Sequence, residues 1–395
     1  MTQPGEALGQ MMDAPLGQIT SFGEQMKVGD RVCIIVSDSF RKTGIHLVLP
    51  ALLDRLRVAG IHDADIAFVY ATGTHRGPTR EEEAEILGPE ILERFRGQTH
   101  SHDAHDAANL NFLGETSRGT PVWMNRVVCE ADHVIVTGSV VFHYFGGFGG
   151  GRKAVLPGVA GVDTIARNHA MNLSPHEDTL DPSVRIGGLT GNPVAEDMLE
   201  GAKLLPTSLL INTVLNRQGE IAGLFVGDLE AAHDEACAFA RKLYAVPIQE
   251  QADLVIASAG AAKNYIQSHK ALYNAYQALK PGGRIIFLSP APEGYGGNKF
   301  QQWVDLGTTE AVIQALRKNA EINGQTALST LQKAPSALFV TEMSAEDVER
   351  LGGRKAPSLQ AAVDMALEEL TQAGISTPTA YVMPSAGYAV PILKD

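Results

Sequence analysis

Five of the six residues from 146 to 151 are glycine (Gly-Gly-Phe-Gly-Gly-Gly), and the adjacent cations Arg152 and Lys153 follow at once. Neither a helix nor a strand interior tolerates that density, because glycine loses the most backbone entropy on folding and offers no side chain to pack. The run is therefore a loop between elements, and the apolar residues 134–137 before it read as a short buried strand. His143 opens the loop, Pro157 and Gly158 close it as a turn, and His169 follows in an expected helix. Absent side chains let backbone amides approach an anion. Gly150 and Gly151 complete this expected cradle, Arg152 adds charge, and Lys153 adds charge or a covalent handle.

Around this loop the pattern alternates. Short apolar strands are expected at residues 32–36, 66–70, 134–137, 253–257, 284–288 and 337–340, with helical spacing at 46–58, 79–87, 229–244, 268–279, 310–318, 345–351 and 359–373. Continuous apolar strands separated by amphipathic helices imply parallel sheets covered on both faces. Residues 207–226 read as two strands joined at 216–219, and the first 30 or so residues read as an irregular lead-in. The expected fold is α/β: two α/β domains with mostly parallel sheets, residues 1–248 and 249–395, and an active-site cleft between them.

A net charge of −13 disfavours nonspecific nucleic-acid binding, which depends on neutralising phosphates. It leaves room for a local basic pocket that takes an anionic small molecule. No apolar run is long enough to span a bilayer, and no secretory signal is visible, so a cytoplasmic location without membrane attachment is expected. The three cysteines, Cys33, Cys129 and Cys237, are widely separated and read as buried free thiols.

Polar groups recur just after the expected strands, where open parallel sheets bind ligands. Asp38 and Arg41 follow the first strand, His75 the second, and His143 the third; Gln267 and Lys270 follow the first strand of the second domain. Arg41 offers a planar fork for a carboxylate or phosphate, or else an ion pair with Asp38. His75 and His143 suit a general acid and base. His169 could bind a metal through one ring nitrogen or hydrogen-bond the loop. The HExxH, CxxC, GxxxxGK[ST] and GxSxG patterns are absent, and the full GxGxxG fingerprint is not completed.

The spacing of His143-Tyr-Phe-x-Gly-Phe-x-Gly-Gly-Arg-Lys153 with His169, together with Gly73-Thr-His75-Arg76 and Gln267-x-x-Lys270, resembles the nickel-dependent lactate racemase family of 2-hydroxyacid racemases and epimerases. The resemblance implies a nickel-pincer nucleotide, a pyridinium-3,5-bisthiocarboxylic acid mononucleotide carrying nickel, attached covalently at Lys153. It implies His169 as the protein ligand to nickel, and Asp38, Gly150, Gly151 and Arg152 as cofactor neighbours. His75 and His143 become the acid/base pair, while Arg41, Gln267 and Lys270 contact the substrate. The implied partners are a small 2-hydroxyacid and the maturation enzymes that supply the cofactor. Two other readings of the same residues are a nucleotide- or phosphate-binding protein without nickel, and a metal-dependent hydrolase with His75, His143 and His169 as ligands.

The chain departs from the family pattern in places. Asp38-Ser-Phe-Arg41 carries a phenyl ring where the family has a threonine, and Ile266 stands where lactate-specific members have a tyrosine. Trp303 does not fall at the position of those members' tryptophan. These departures point away from lactate itself to a different or larger 2-hydroxyacid, such as a sugar acid, or to a polyol.

Overall fold

A computed structural model describes residues 1–19, 24 and 26–394. The chain divides into two units, Met1–Asn172 with Pro182–Leu243, and Leu173–Asp181 with Tyr244–Asp395. In chain order the first unit contains β1 (Val32–Ser37), β2 (Ile66–Ala71), β3 (Thr99–Ser101), β4 (Leu110–Glu115), β5 (Pro121–Asn125), β6 (His133–Ser139), β7 (Phe142–His143), β8 (Gly147–Phe148), β9 (Leu209–Leu215) and β10 (Ile221–Gly227). Its main sheet runs β10-β9-β6-β1-β2-β3, parallel throughout except for the β9/β10 pair.

The strand order reverses between β1 and β6, so the connections leaving these neighbours diverge and open a crevice beyond their carboxyl ends. Asp38 directly follows β1, and the glycine run follows β6. Every residue of β1 is buried, as its unbroken apolar run requires of a strand covered on both faces. Ile34, Val36 and Phe68 pack with Leu49, Leu52, Leu53 and Leu56 of the helix Leu49–Val58.

The amino-terminal residues contradict the expected irregular lead-in. Pro4–Asp13 is an α-helix with proline in its first turn, where the missing N–H costs nothing. Leu8 and Met12, four residues apart on one face, are buried in the same core as Ile34. Cys129 also differs from expectation: it is half-buried, whereas Cys33 and Cys237 are buried.

The second unit contains β11 (Ala245–Ile248), β12 (Ala252–Ser258), β13 (Leu279–Leu288), β14 (Ala337–Val340), β15 (Arg354–Lys355), β16 (Ala380–Met383) and β17 (Val390–Leu393). Its five-stranded sheet, β15-β14-β13-β12-β16, is parallel at every pairing. Leu272 and Ala275 of the helix Tyr265–Gln277 cover one face against Val255 and Phe287. Ala362, Ala366 and Leu370 of the helix Leu359–Gln372 cover the other against Leu254 and Ile286. Among the described residues no helix is long and apolar enough to cross a membrane.

Candidate active site

The first half of the site grows from the ends of β1 and β2. Asp38 is buried, and its carboxylate accepts from His75 Nδ1 at 2.7 Å and from Arg41 Nη1 at 3.3 Å. The ion pair weighed for Arg41 is thus present, while about half of its side chain stays exposed. An ionised carboxylate can only accept, so His75 carries its proton on Nδ1 and presents Nε2 as a lone pair when neutral. A buried acid that orients an imidazole in this way prepares a general base.

The segment carrying His75 is anchored on both sides. Arg76 makes a bidentate pair with Glu82, both distances 2.6 Å. Glu82 in turn closes a capping box with Thr79 at the start of the helix Arg80–Leu87. The Gly73 N–H donates to the Gly158 carbonyl at 2.9 Å, which ties the loop after β2 to the turn that ends the glycine segment.

The second half follows β6. His143 and Gly147 pair across the short β7–β8 hairpin, and the Gly146 N–H donates to His143 Nδ1 at 3.2 Å. That bond places the proton of neutral His143 on Nε2, the reverse of His75. Gly151–Ala154 then forms a 3₁₀ turn in which Arg152 and Lys153 are both buried. Among the described residues neither cation has a carboxylate in ion-pair distance, and the buried Arg152 Nε has no hydrogen-bond partner.

Phe145, which the sequence reading left without a role, joins these groups. Its buried ring lies 4.5 Å from the His143 ring and 4.9 Å from the His169 ring, centroid to centroid, and Lys153 Nζ sits 5.1 Å from its centre. Only its spacing between His143 and the glycines could have signalled this. Burial, followed by the nearby Arg41 and Arg152 charges, holds the Lys153 amine well below the usual lysine range. His169 lies on the helix Val162–Ala170, and burial and then the Lys153 charge depress it to about 3. Lowered basicity moves an amine toward its nucleophilic form, and a neutral imidazole is able to ligate a metal.

His233 and Asn212 also escaped the sequence reading. Asn212 Oδ1 accepts the Gly151 N–H at 3.0 Å, and His233 bonds both Arg152 and the Gly149 carbonyl at 3.0 Å. Nothing in their own sequence surroundings marks either one, because their partners lie 61 to 84 residues away.

Gln267 and Lys270 belong to the second unit, on the helix that follows β12. Gln267 Oε1 accepts the Lys263 N–H at 3.0 Å. Lys270 is half-buried, and desolvation pushes its ammonium down to about 8.

Among the described residues no three His, Cys, Asp or Glu side chains converge on a common point as a metal cage. His75, His143 and His169 therefore do not form the three-ligand set that a hydrolase would use. The buried His169 imidazole, the buried Lys153 amine and a buried Arg152 guanidinium without a carboxylate partner instead fit an anionic ligand. The unpartnered Arg152 Nε is the observation that carries this fit, because a buried donor of that kind requires an acceptor.

Residues 2–180 match the lactate racemase N-terminal domain family. The chain is 34% identical over 298 residues to lactate racemase of Lactiplantibacillus plantarum, covering 75% of this chain and 68% of that protein. It is also 34% identical over 275 residues to lactate racemase of Thermoanaerobacterium thermosaccharolyticum, covering 69% of this chain and 62% of that protein. The solved lactate racemase apoprotein of T. thermosaccharolyticum superposes with a TM-score of 0.87 at 27% identity, covering 99% of this chain and 93% of that one. A Thermotoga maritima protein shares the fold alone, with a TM-score of 0.68 at 18% identity over 99% of this chain and 97% of that one. The chain is a member of the lactate racemase family, an enzyme of the isomerase class.

Proposed function

We propose that the protein is a nickel-pincer-nucleotide-dependent racemase or epimerase of a 2-hydroxyacid. The carrying observation is the opposed tautomers of His75 and His143, one presenting a lone pair at Nε2 and the other a proton at Nε2, on the first unit that also buries Lys153. Inverting a carbon that bears a hydroxyl and a carboxylate requires proton movement at the hydroxyl for either enantiomer. Two imidazoles, each able to take and return a proton, meet that need.

When bound, the nickel nucleotide supplies a hydride acceptor for the hydrogen on C2, which avoids a carbanion next to a carboxylate. Proton transfer alone supplies only about 10²–10⁴-fold, so the histidines need such a cofactor. Lys153 is the covalent attachment point, and its depressed basicity leaves it nucleophilic. His169 is the protein ligand to nickel, and Arg152 with Gly150 and Gly151 receives the phosphate. His75 takes or returns the hydroxyl proton at Nε2 while Asp38 holds its ring; His143 serves the other enantiomer from the tautomer with Nε2 bare, which it reaches when its Nδ1 gives up the Gly146 N–H. Arg41 holds the substrate carboxylate; Gln267 and Lys270 are the further substrate contacts that the family resemblance implies.

The substrate is a lactate-like or larger 2-hydroxyacid. Phe40, largely exposed, lies 4.8 Å from the His75 ring and replaces the small hydroxyl residue of the family pattern. The test is production of the protein together with cofactor-making enzymes, followed by intact-mass and metal analysis and by racemisation assays on a panel of 2-hydroxyacids. Near-stoichiometric nickel, an adduct on Lys153 and racemisation with retention of the C2 hydrogen support the reading. Reversible nucleotide binding with neither adduct nor nickel would replace it with a plain nucleotide-binding role.

A further inference from the structure

Arg152 is held by an unusual partner. Its Nη1 donates to His233 Nδ1 at 3.0 Å, and His233 Nε2 donates to the Gly149 carbonyl at 3.0 Å. A guanidinium only donates and a carbonyl only accepts, so the imidazole has one arrangement, with its proton on Nε2 and Nδ1 bare. The ring is therefore uncharged, and burial keeps it so by depressing its basicity to about 3.

The same ring shapes the glycine loop. Gly151 has φ +50, and a Cβ placed on it would fall 2.4 Å from His233 Cδ2, well inside contact distance. On the other side Asn212 takes the Gly151 N–H, and a Cβ on Gly150 would lie 2.9 Å from Asn212 Oδ1. The turn from Gly149 to Gly151 is thus seated between two side chains from distant parts of the chain. His233 bonds one end of this turn and the arginine that follows it.

A carboxylate that orients a buried arginine also cancels its charge. An imidazole orients without cancelling. Arg152 keeps its positive charge, and among the described residues its buried Nε has no hydrogen-bond partner.

We propose that His233 is a positioning residue for anion binding: a neutral acceptor that aims Arg152, and seats the Gly149–Gly151 turn, for the phosphate of a nucleotide. The inference rests on the phosphate cradle of the proposed function but not on nickel or racemisation.

The test uses the full-length apoprotein and two probes, inorganic phosphate and nicotinic acid mononucleotide, with affinity read by calorimetry. His233→Phe fills the space and removes both bonds, and is expected to weaken mononucleotide binding by roughly tenfold or more. His233→Glu keeps an acceptor but neutralises the guanidinium, and is expected to weaken binding at least as much. His233→Gln can accept from Arg152 and donate to Gly149, and should stay within about threefold of the parent, a rescue that a space-filling role does not predict. Melting temperatures identify any variant that fails to fold, and the Gln/Glu contrast remains if the Phe variant is lost. Equal affinities in folded Gln and Glu variants would overturn the proposal, as would absence of binding of either probe by the parent. Binding with the expected variant order but no racemisation would leave this inference standing and remove the proposed reaction.

Discussion

Asp38 Oδ2 and His75 Nδ1 lie 2.7 Å apart, with the carboxylate buried and the imidazole about one-third exposed. The acid has no donor capacity when ionised, so it selects one tautomer of the base. Asp38→Asn keeps the shape but offers an amide that can donate, which lets the ring turn or switch tautomer. Turnover of the loaded enzyme is expected to fall by about 10²–10⁴-fold, with nickel content and the Lys153 adduct unchanged. Loss of nickel in this variant would show that Asp38 serves the cofactor rather than the base.

Lys153→Arg separates charge from nucleophilicity. Arginine keeps a buried cation but cannot act as a neutral amine. Intact mass after co-production with the maturation enzymes should show no covalent adduct and racemisation should be absent. An adduct of unchanged mass would move the attachment to another residue.

Phe145→Ala removes the ring shared by His143, His169 and Lys153. Loss of so large a buried side chain costs about 3–5 kcal/mol, read as a lower urea midpoint. Retained nickel also falls, because His169 loses the wall that orients its ring at 4.9 Å. A variant as stable and as well loaded as the parent would show that the ring has no structural role.

His169 and His233 give the chain a predictable acid sensitivity. Both fall from 6.5 to about 3 in the folded chain, chiefly through burial. Between those values the unfolded chain binds protons that the folded chain refuses, so stability is fully present above pH 6.5 and is lost as pH falls toward 3. Each group contributes on the order of 1 kcal/mol per pH unit in that window. Urea unfolding from pH 7.5 to pH 5 should show the decline, and His233→Gln should make it shallower. An unchanged slope in that variant would mean that His233 is protonated in the folded chain.

Gly151→Ala tests the loop from its other side. The added methyl meets the His233 ring at 2.4 Å and forces a residue with a side chain into φ +50. A loss of about 1–3 kcal/mol is expected, together with weaker binding of a mononucleotide. Gly219→Ala, at a turn where nothing lies within 4 Å, controls for positive φ alone.

Local pattern alone determined most of the scaffold and picked out the candidate groups. Unbroken apolar runs such as residues 32–36 specify covered parallel strands because each residue must be buried on one face or the other. Five glycines before Arg152 and Lys153 specify a loop. Asp38, Arg41, His75 and His143 follow strands, at the edge where parallel sheets of this kind bind ligands. The helix Pro4–Asp13 was legible only in part, because two glycines dilute its pattern and its Leu8–Met12 stripe gains meaning only against a core formed by later strands.

What tertiary structure decided is which partner each of these groups meets. The reversal of strand order between β1 and β6 arises from pairings between segments about a hundred residues apart, and no local period encodes it. The tautomers of His75 and His143 depend on single donors and acceptors placed by that topology. His233 and Asn212 reach the glycine loop from 61 to 84 residues away, so their role exists only once the chain is folded. Even the basicity of Lys153 is a tertiary property, since desolvation and the nearby Arg41 and Arg152 charges set it, and none of these is a feature of lysine itself.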